Sequence, residues 1–294
     1  MLKLRHLLAA TTGLALLASA STAHATAYAY GNINFTNLTL SGLTAPGVTL
    51  NSANVTTRDS ASYPSFAAAS NPVGPTNPDN PLTAGSDAPQ AFSGPGPAPA
   101  QNTYTQALLN SFGARGDAQL VGNLLTGAGT GANDVAEGRL TTPGSAASTA
   151  GTSTGFNVVL STGTTQTFTL AFNASDNVTA STTAAGEIAS ASVSASFTVS
   201  GAGIGTQIYS PDSLNTSITS TGGNGNNTIA NASAPFTFSV TLNPGTYQFS
   251  LLSGAQEQVT VPTPPTPNPV PEPASMALLG AGLAAIGLVR RRRA

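Results

Sequence analysis

The clearest regularity along the chain is a strict alternation of apolar and hydroxyl-bearing residues over positions 189–200. A period of two places successive side chains on opposite faces of a β-strand. The stretch therefore predicts a strand with one buried face and one solvated face. The apolar set is Ala189, Ala191, Val193, Ala195, Phe197 and Val199, and the hydroxyl set is Ser190, Ser192, Ser194, Ser196, Thr198 and Ser200.

Other alternating stretches occur on both sides of turn-forming residues. Residues 156–160 and 166–172 flank a Ser-Thr-Gly-Thr sequence, and residues 236–242 and 247–251 flank Asn243-Pro244-Gly245. Each pair predicts a β-hairpin. Short alternating strands joined by such turns favour a mainly-β chain folded as an antiparallel β-sandwich, which we place at residues 154–261. Short strands are also predicted in residues 26–59, and whether they join this sandwich stays open.

Long irregular segments and one short helical segment separate these strands. Residues 60–101 contain nine prolines and predict a Pro-rich linker or loop. In residues 102–153, Tyr104, Leu108, Leu109 and Phe112 have helical spacing, and the remainder is a Gly/Ser/Thr-rich loop. Residues 262–270 are rich in proline and threonine and predict an extended stalk.

The N-terminus has the three parts of a secretory signal peptide. Lys3 and Arg5 precede an apolar stretch over residues 7–18, and Ala23-His24-Ala25 supplies small residues at the cleavage positions. We therefore predict that residues 1–25 are a signal peptide, with Ala23 and Ala25 read by the peptidase and the mature chain beginning at Thr26.

The C-terminus carries a second composite signal. Pro271, Glu272 and Pro273 precede an apolar run over residues 276–289, and the arginines at 290–293 follow it. Fourteen residues make about 21 Å of helix, whereas a bilayer core is about 30 Å thick. The run is thus short for a permanent transmembrane helix. The terminal positive charges, Arg290, Arg291, Arg292 and Arg293, predict that this end stays on the cytoplasmic side.

This arrangement over residues 271–294 resembles the PEP-CTERM sorting signal of Gram-negative bacteria. The resemblance implies processing by an exosortase near Pro271–Pro273, after a transient stay in the inner membrane. It further implies release to the cell surface or to an extracellular matrix, where such proteins are linked with exopolysaccharide and biofilm.

Composition narrows the chemistry of the chain between the two signals. Residues 26–271 contain three arginines and ten acidic residues, and they lack His, Cys, Trp and Lys. This excludes His- and Cys-based metal centres and Ser-His-Asp or Cys-His nucleophiles, and it disfavours nucleic-acid binding. We expect no catalytic residue, no metal and no cofactor. A two-carboxylate glycosidase remains formally open, and Asp134 and Glu137, expected in a Gly-rich loop, are its nearest pair.

These observations favour a non-catalytic secreted protein of the cell surface or extracellular matrix. The expected partners are an exosortase and an exopolysaccharide. The alternative is a carbohydrate-binding module, with a site sought among Tyr104, Tyr209 and Tyr247. A glycosidase-like enzyme is less favoured.

Both signals predict removal of the chain's ends. We expect the surface-extracted protein to begin at Thr26 and to lack residues 276–294, which intact-mass spectrometry and terminal peptide mapping measure directly. A surface form that still contained the arginines at 290–293 would contradict this prediction.

Overall fold

A computed structural model describes residues 26–264, except 75–81, 83–84, 109, 128, 164 and 202. Within these residues fourteen strands form two antiparallel sheets that share one apolar core, so the predicted mainly-β sandwich is confirmed. Among these residues there is one 3₁₀ turn, Asp212–Leu214.

Each sheet contains seven strands, all antiparallel to their neighbours. Sheet A has the spatial order β13 (Gly225–Leu242), β9 (Gln166–Thr182), β1 (Ala27–Ser41), β7 (Gly131–Leu140), β6 (Gly113–Val121) and β4 (Ser86–Asp87), with β5 (Ala91–Ser93) also paired to β6. Sheet B has the order β11 (Gly205–Tyr209), β10 (Ile188–Gly201), β14 (Gly245–Val261), β8 (Gly144–Leu160), β2 (Val48–Ser62) and β3 (Ala69–Val73), with β12 (Ser217–Thr221) also paired to β10.

The alternation in β10 behaves as the sequence predicts, with every apolar residue of the 189–199 set buried. Phenylalanines from both sheets meet in the core around Phe249. Its ring centroid lies 5.0 Å from that of Phe156, 5.1 Å from that of Phe168 and 6.0 Å from that of Phe197. Such aromatic contacts join the two sheets at this end of the core.

Both predicted hairpins are wrong in their pairing, although their strands exist. β8 belongs to sheet B and β9 to sheet A, and β13 belongs to sheet A and β14 to sheet B. Each turn therefore carries the chain from one layer to the other. An alternating pattern indicates that each strand has one buried face. It does not indicate whether two consecutive strands pair in one sheet as a hairpin or lie in opposite sheets, because each strand has one buried face in both arrangements.

The predicted helical segment does not form. Of its residues, those that the structure describes up to Phe112 are irregular, and the following residues are strand β6. The reason is local competition for backbone groups: the carbonyls of Thr103 and Thr105 accept hydrogen bonds from the Arg115 side chain. In a helix these carbonyls would bond to amides four residues later.

The segments predicted as loops also contain strands, and the sandwich is larger than residues 154–261. Strands β3 to β5 lie in residues 60–101, and β7 and the first part of β8 lie before residue 154. β1 lies between β7 and β9 in sheet A, and β2 lies between β8 and β3 in sheet B, so the N-terminal strands are integral to both sheets of the sandwich.

The chain divides into two compact units, residues 1–262 and residues 263–294. All fourteen strands of the described residues lie in the first unit. Of the second unit only Thr263 and Pro264 are described. The part of the chain that the structure describes contains no helix long and apolar enough to cross a membrane, and the predicted segment 276–289 lies outside it.

The aromatic contacts of Phe249 predict a large cost on truncation. Phe249→Ala should lower the free energy of unfolding of residues 26–264 by about 3–5 kcal/mol, because a cavity replaces the ring that joins the sheets. Leu252→Ala, in the same strand but at a side chain that is 46% exposed, is the matched control and should cost much less. Urea unfolding followed by circular dichroism measures both, and equal costs would contradict the assignment of this core.

Candidate functional site

Most of the charged side chains of the sandwich lie in its strands and are buried. Seven acidic residues are almost inaccessible to solvent: Asp59, Asp117, Asp134, Glu137, Asp176, Glu187 and Glu257. Arg115 is fully buried beside them, whereas Arg58 is exposed and Arg139 is partly exposed. Buried charges are costly unless they are paired, hydrogen-bonded or neutralised by a proton. The buried charged groups on the two faces of β6 and β7 are accommodated in different ways.

On the outer face of sheet A, Arg115 and Glu137 form an ion pair. Arg115 Nε lies 2.8 Å from Glu137 Oε2, and both side chains are fully buried. Glu137 also accepts hydrogen bonds from the Tyr28 hydroxyl at 2.8 Å and from the N–H groups of Ala107 and Leu108, both at 2.9 Å. The Glu137 carboxylate thus accepts hydrogen bonds from four donors, which offset the cost of burying the ion pair.

The same ion pair holds residues 101–108, which we call the strap, against sheet A. Arg115 Nη1 donates to the Thr103 carbonyl at 2.6 Å, and Nη2 donates to the Thr105 carbonyl at 2.5 Å. The Tyr30 hydroxyl donates to the Tyr104 carbonyl at 2.8 Å. Side chains of the sheet therefore replace the regular backbone pairing that the strap lacks.

Between the sheets lie three carboxyl groups that form no ion pair with any described residue: Asp59 on β2, Asp134 on β7 and Glu257 on β14. The Ser253 hydroxyl donates to Asp134, but the oxygens of Asp59 and Glu257 have no hydrogen bond of ordinary geometry. Room for Glu257 comes from Gly138, where an added Cβ would lie 2.2 Å from Glu257 Oε2. Gly138 of β7 therefore leaves the space that the Glu257 carboxyl of β14 occupies.

Burial controls the protonation of these three groups. It raises the pKa of Asp59 to about 9, with repulsion from Asp117 adding to the effect, and the pKa of Asp134 to about 7. Burial also raises the pKa of Glu257 well above its usual range, and the neighbouring Ser148 offsets only part of this. Asp59 is therefore neutral in the folded protein at pH 7, and burial favours the neutral form of Glu257.

Asp134 and Glu137 do not lie in a Gly-rich loop, as expected from the sequence, but in strand β7. They are three residues apart, so a period of two directs them to opposite faces of sheet A. Asp134 contacts Ser253 of sheet B, whereas Glu137 contacts the strap. This pair does not converge on a common substrate position.

The tyrosines considered for sugar binding differ in their environments. Tyr247 is buried, and Tyr104 donates its hydroxyl to Asn102 Oδ1 at 2.8 Å within the strap region. Tyr209 stacks on Phe238 with a centroid distance of 5.2 Å. The structure does not bring the three together, because they lie on the strap, β11 and β14.

An open groove with a volume of about 410 Å³ lies on sheet B. Strands β8, β14, β10 and β12 form it, and hydroxyl and amide side chains line it. Its polar lining includes Thr149, Ser190, Ser192, Ser217, Thr219, Gln256 and Gln258. The hydroxyl alternation in β10 was the sequence signal for this surface, but the residues of β8 and β12 carried no comparable signal.

The remaining site residues predicted from the sequence lie outside the described residues. These are the cleavage residues Ala23 and Ala25, the triplet Pro271, Glu272 and Pro273, and the arginines Arg290, Arg291, Arg292 and Arg293. In the part that is described, no three His, Cys, Asp or Glu side chains are grouped so that they could hold a metal ion.

Fold and surface together define a β-sandwich with neutral, hydroxyl-rich faces and internal carboxyls. Comparison with known families adds the destination of the chain: the PEP-CTERM protein-sorting motif matches residues 269–293. This is the C-terminal sorting signal of exosortase substrates, so the chain carries a signal for export, membrane-associated processing and surface or extracellular localisation. The chain matches no curated protein.

The buried carboxyls predict an unusual pH dependence of stability. Because the folded-state pKa values of Asp59 and Glu257 lie above their unfolded values, their stabilising contribution is complete below about pH 4 and is lost as the pH rises toward the folded-state values. We expect the melting temperature of residues 26–264 to fall between pH 5 and pH 8. Each such group contributes a slope of at most about 1.4 kcal/mol per pH unit.

The variant Glu257→Gln removes one of these titrations and should make the pH dependence shallower. Glu137, whose charge acts on Glu257, and Ser148 remain in place in this variant. Asp212→Asn, at an exposed position, is the control and should leave the slope unchanged. Stability that increased from pH 5 to pH 8 in the unmodified protein would contradict the assignment.

Proposed function

We propose that the chain is a non-catalytic protein of the cell surface or extracellular matrix, delivered by an exosortase and associated with exopolysaccharide. The main observation that supports this proposal is that most of the described carboxyl groups are buried and not exposed at the surface. Seven acidic residues are buried, and the described acids with appreciable exposure are Asp87 and Asp212. Because residues 26–271 lack His, Cys and Lys, a hydrolytic site in them would need acidic groups within reach of one substrate atom in an accessible cleft.

The arrangement of Asp134 and Glu137 also weighs against the glycosidase alternative. Such an enzyme needs two carboxyl groups about 5–9.5 Å apart on either side of a bound sugar. These two lie on opposite faces of sheet A, and Glu137 is engaged by Arg115, Tyr28 and the strap. Moving Glu137 toward a substrate would leave Arg115 as an unpaired buried charge, which is strongly destabilising.

The groove of sheet B favours the second candidate, a carbohydrate-binding module. Its polar side chains present hydroxyl and amide groups, which both donate and accept hydrogen bonds with sugar hydroxyls. The groove has no aromatic residue in its lining, so it lacks the stacking surface that gives many sugar sites their affinity. Weak, repeated contacts along a polymer are the mode of binding that this surface supports.

The test uses exopolysaccharide harvested from the cells that express the chain. Residues 26–264 contain both complete sheets and should sediment with this polymer without releasing reducing ends. Replacing Gln256 and Gln258 together by alanine should reduce the bound fraction several-fold, because each loses hydrogen bonds to the polymer.

Gln248→Ala is the matched control, since Gln248 is exposed on the same strand but does not line the groove. Release of new reducing ends by the unmodified domain would overturn the non-catalytic assignment. No sedimentation with the polymer would overturn the association with exopolysaccharide.

A further inference from the structure

A row of four side chains crosses the outer face of sheet A. Arg139 of β7 is directly opposite Tyr28 of β1, Tyr28 is opposite Ser181 of β9, and Ser181 is opposite Asn226 of β13. Directly opposite residues of antiparallel strands have their side chains on the same face, and adjacent strands are about 4.8 Å apart. The row therefore places an arginine, a tyrosine, a serine and an asparagine side by side along about 14 Å of surface.

This row forms the floor of a pocket with a volume of about 250 Å³. Gln106 of the strap forms part of its wall, and Thr179 and Thr183 of the β9 region flank Ser181. Gln106 Nε2 donates to Thr179 Oγ1 at 3.4 Å, which connects the strap to the floor. The Arg115–Glu137 ion pair fixes the strap and so sets this side of the pocket.

Arg139 is the charged residue that lines this pocket. Its Nε atom is buried and has no hydrogen-bond partner, and its guanidinium lies 5.4 Å from the ring centroid of Phe112. Glu137 lies two residues earlier on the same face, but it already pairs with Arg115 and accepts three further hydrogen bonds. Arg139 is thus a planar cation, positioned by an aromatic ring and without a carboxylate partner among the described residues.

We propose that this pocket binds a carboxylate-bearing sugar, such as a uronic acid unit of a polysaccharide. Arg139 pairs with the carboxylate, for which its planar fork of N–H donors is suited. The hydroxyls of Ser181 and Thr183 and the amides of Gln106 and Asn226 bond to the sugar hydroxyls. The proposal rests on the proposed association with exopolysaccharide and specifies the chemical class of polymer recognised.

The polar row distinguishes a sugar from a simple anion. An inorganic anion or acetate would need only the guanidinium, whereas the donors and acceptors continue across β1, β9 and β13, away from Arg139. A ligand that uses the whole row must carry a negative charge at one end and several hydroxyls beyond it. Acidic oligosaccharides have this pattern.

The experiment measures binding to residues 26–264 by isothermal titration calorimetry at low salt. The probes are tetragalacturonate, neutral maltotetraose and sodium acetate. Tetragalacturonate should bind, and the other two probes should bind at least about tenfold more weakly. Acetate lacks the sugar hydroxyls, and maltotetraose lacks the carboxylate. Equal affinity for acetate would mean that the pocket is only an anion site, and equal affinity for maltotetraose would mean that Arg139 takes no part.

Three variants locate the site. Arg139→Gln should weaken tetragalacturonate binding about tenfold or more, whereas Arg58→Gln makes the same charge change at an exposed position of sheet B and should have little effect. Asn226→Asp leaves Arg139 intact but adds a negative charge at the exposed far end of the row, and it should also weaken binding. Circular dichroism and melting temperature identify any variant that fails to fold, and Asn226→Asp keeps the test decisive in that case.

The outcomes separate this inference from the proposed function. If Arg139→Gln and Asn226→Asp bind tetragalacturonate as well as the unmodified domain does, the inference is wrong. Association with harvested exopolysaccharide through the sheet B groove would be unaffected by that result. If the harvested polymer does not bind but tetragalacturonate does, the proposed association fails and the pocket assignment stands.

Discussion

The ion pair between Arg115 and Glu137 is the contact on which the outer side of sheet A depends. Arg115 is the fully buried cation of the described residues, and it bonds both to Glu137 and to two carbonyls of the strap. The strap has no regular strand partner, so without this pair the carbonyls of Thr103 and Thr105 and the N–H groups of Ala107 and Leu108 would lose these hydrogen bonds. A buried pair contributes little net stability over an apolar replacement, but loss of one partner is costly. Its role is therefore to specify where the strap lies.

The interior between the sheets follows from a second constraint, the closeness of the two layers around β6 and β7. An added Cβ at Gly116 would lie 2.2 Å from the Thr149 carbonyl, and one at Gly138 would lie equally close to Glu257 Oε2. Large apolar residues do not fit where the backbones approach in this way. Small residues and buried carboxyls fill the space instead, and this part of the core differs from the phenylalanine-rich part around Phe249.

The sequence predicted the fold class because alternation is strong wherever large residues face inward, as in β10. It failed in β6, β7 and the first part of β8, because alanine, glycine and serine give almost no contrast between the two faces. The helical prediction over Tyr104 and Leu108 is wrong because Arg115, which lies outside that segment, donates hydrogen bonds to two of its backbone carbonyls. The pocket beside Arg139 could not be predicted from the sequence either. The residues of its floor come from β7, β1, β9 and β13, and only the pairing register of these strands brings them together.

The surface that results carries few charges, which limits how the protein can recognise a partner. Long-range electrostatic attraction requires concentrated charge, and the described arginines are one buried residue and two with some exposure. Recognition therefore depends on hydrogen bonds from rows of hydroxyls and amides, which register across the strands places at regular spacing. A polymer with a repeating pattern of hydroxyl groups matches such rows better than a compact ligand does. Arg139 is the strongest local determinant in the row on sheet A, because among the described residues that line its pocket no other cation competes with it for an anionic group.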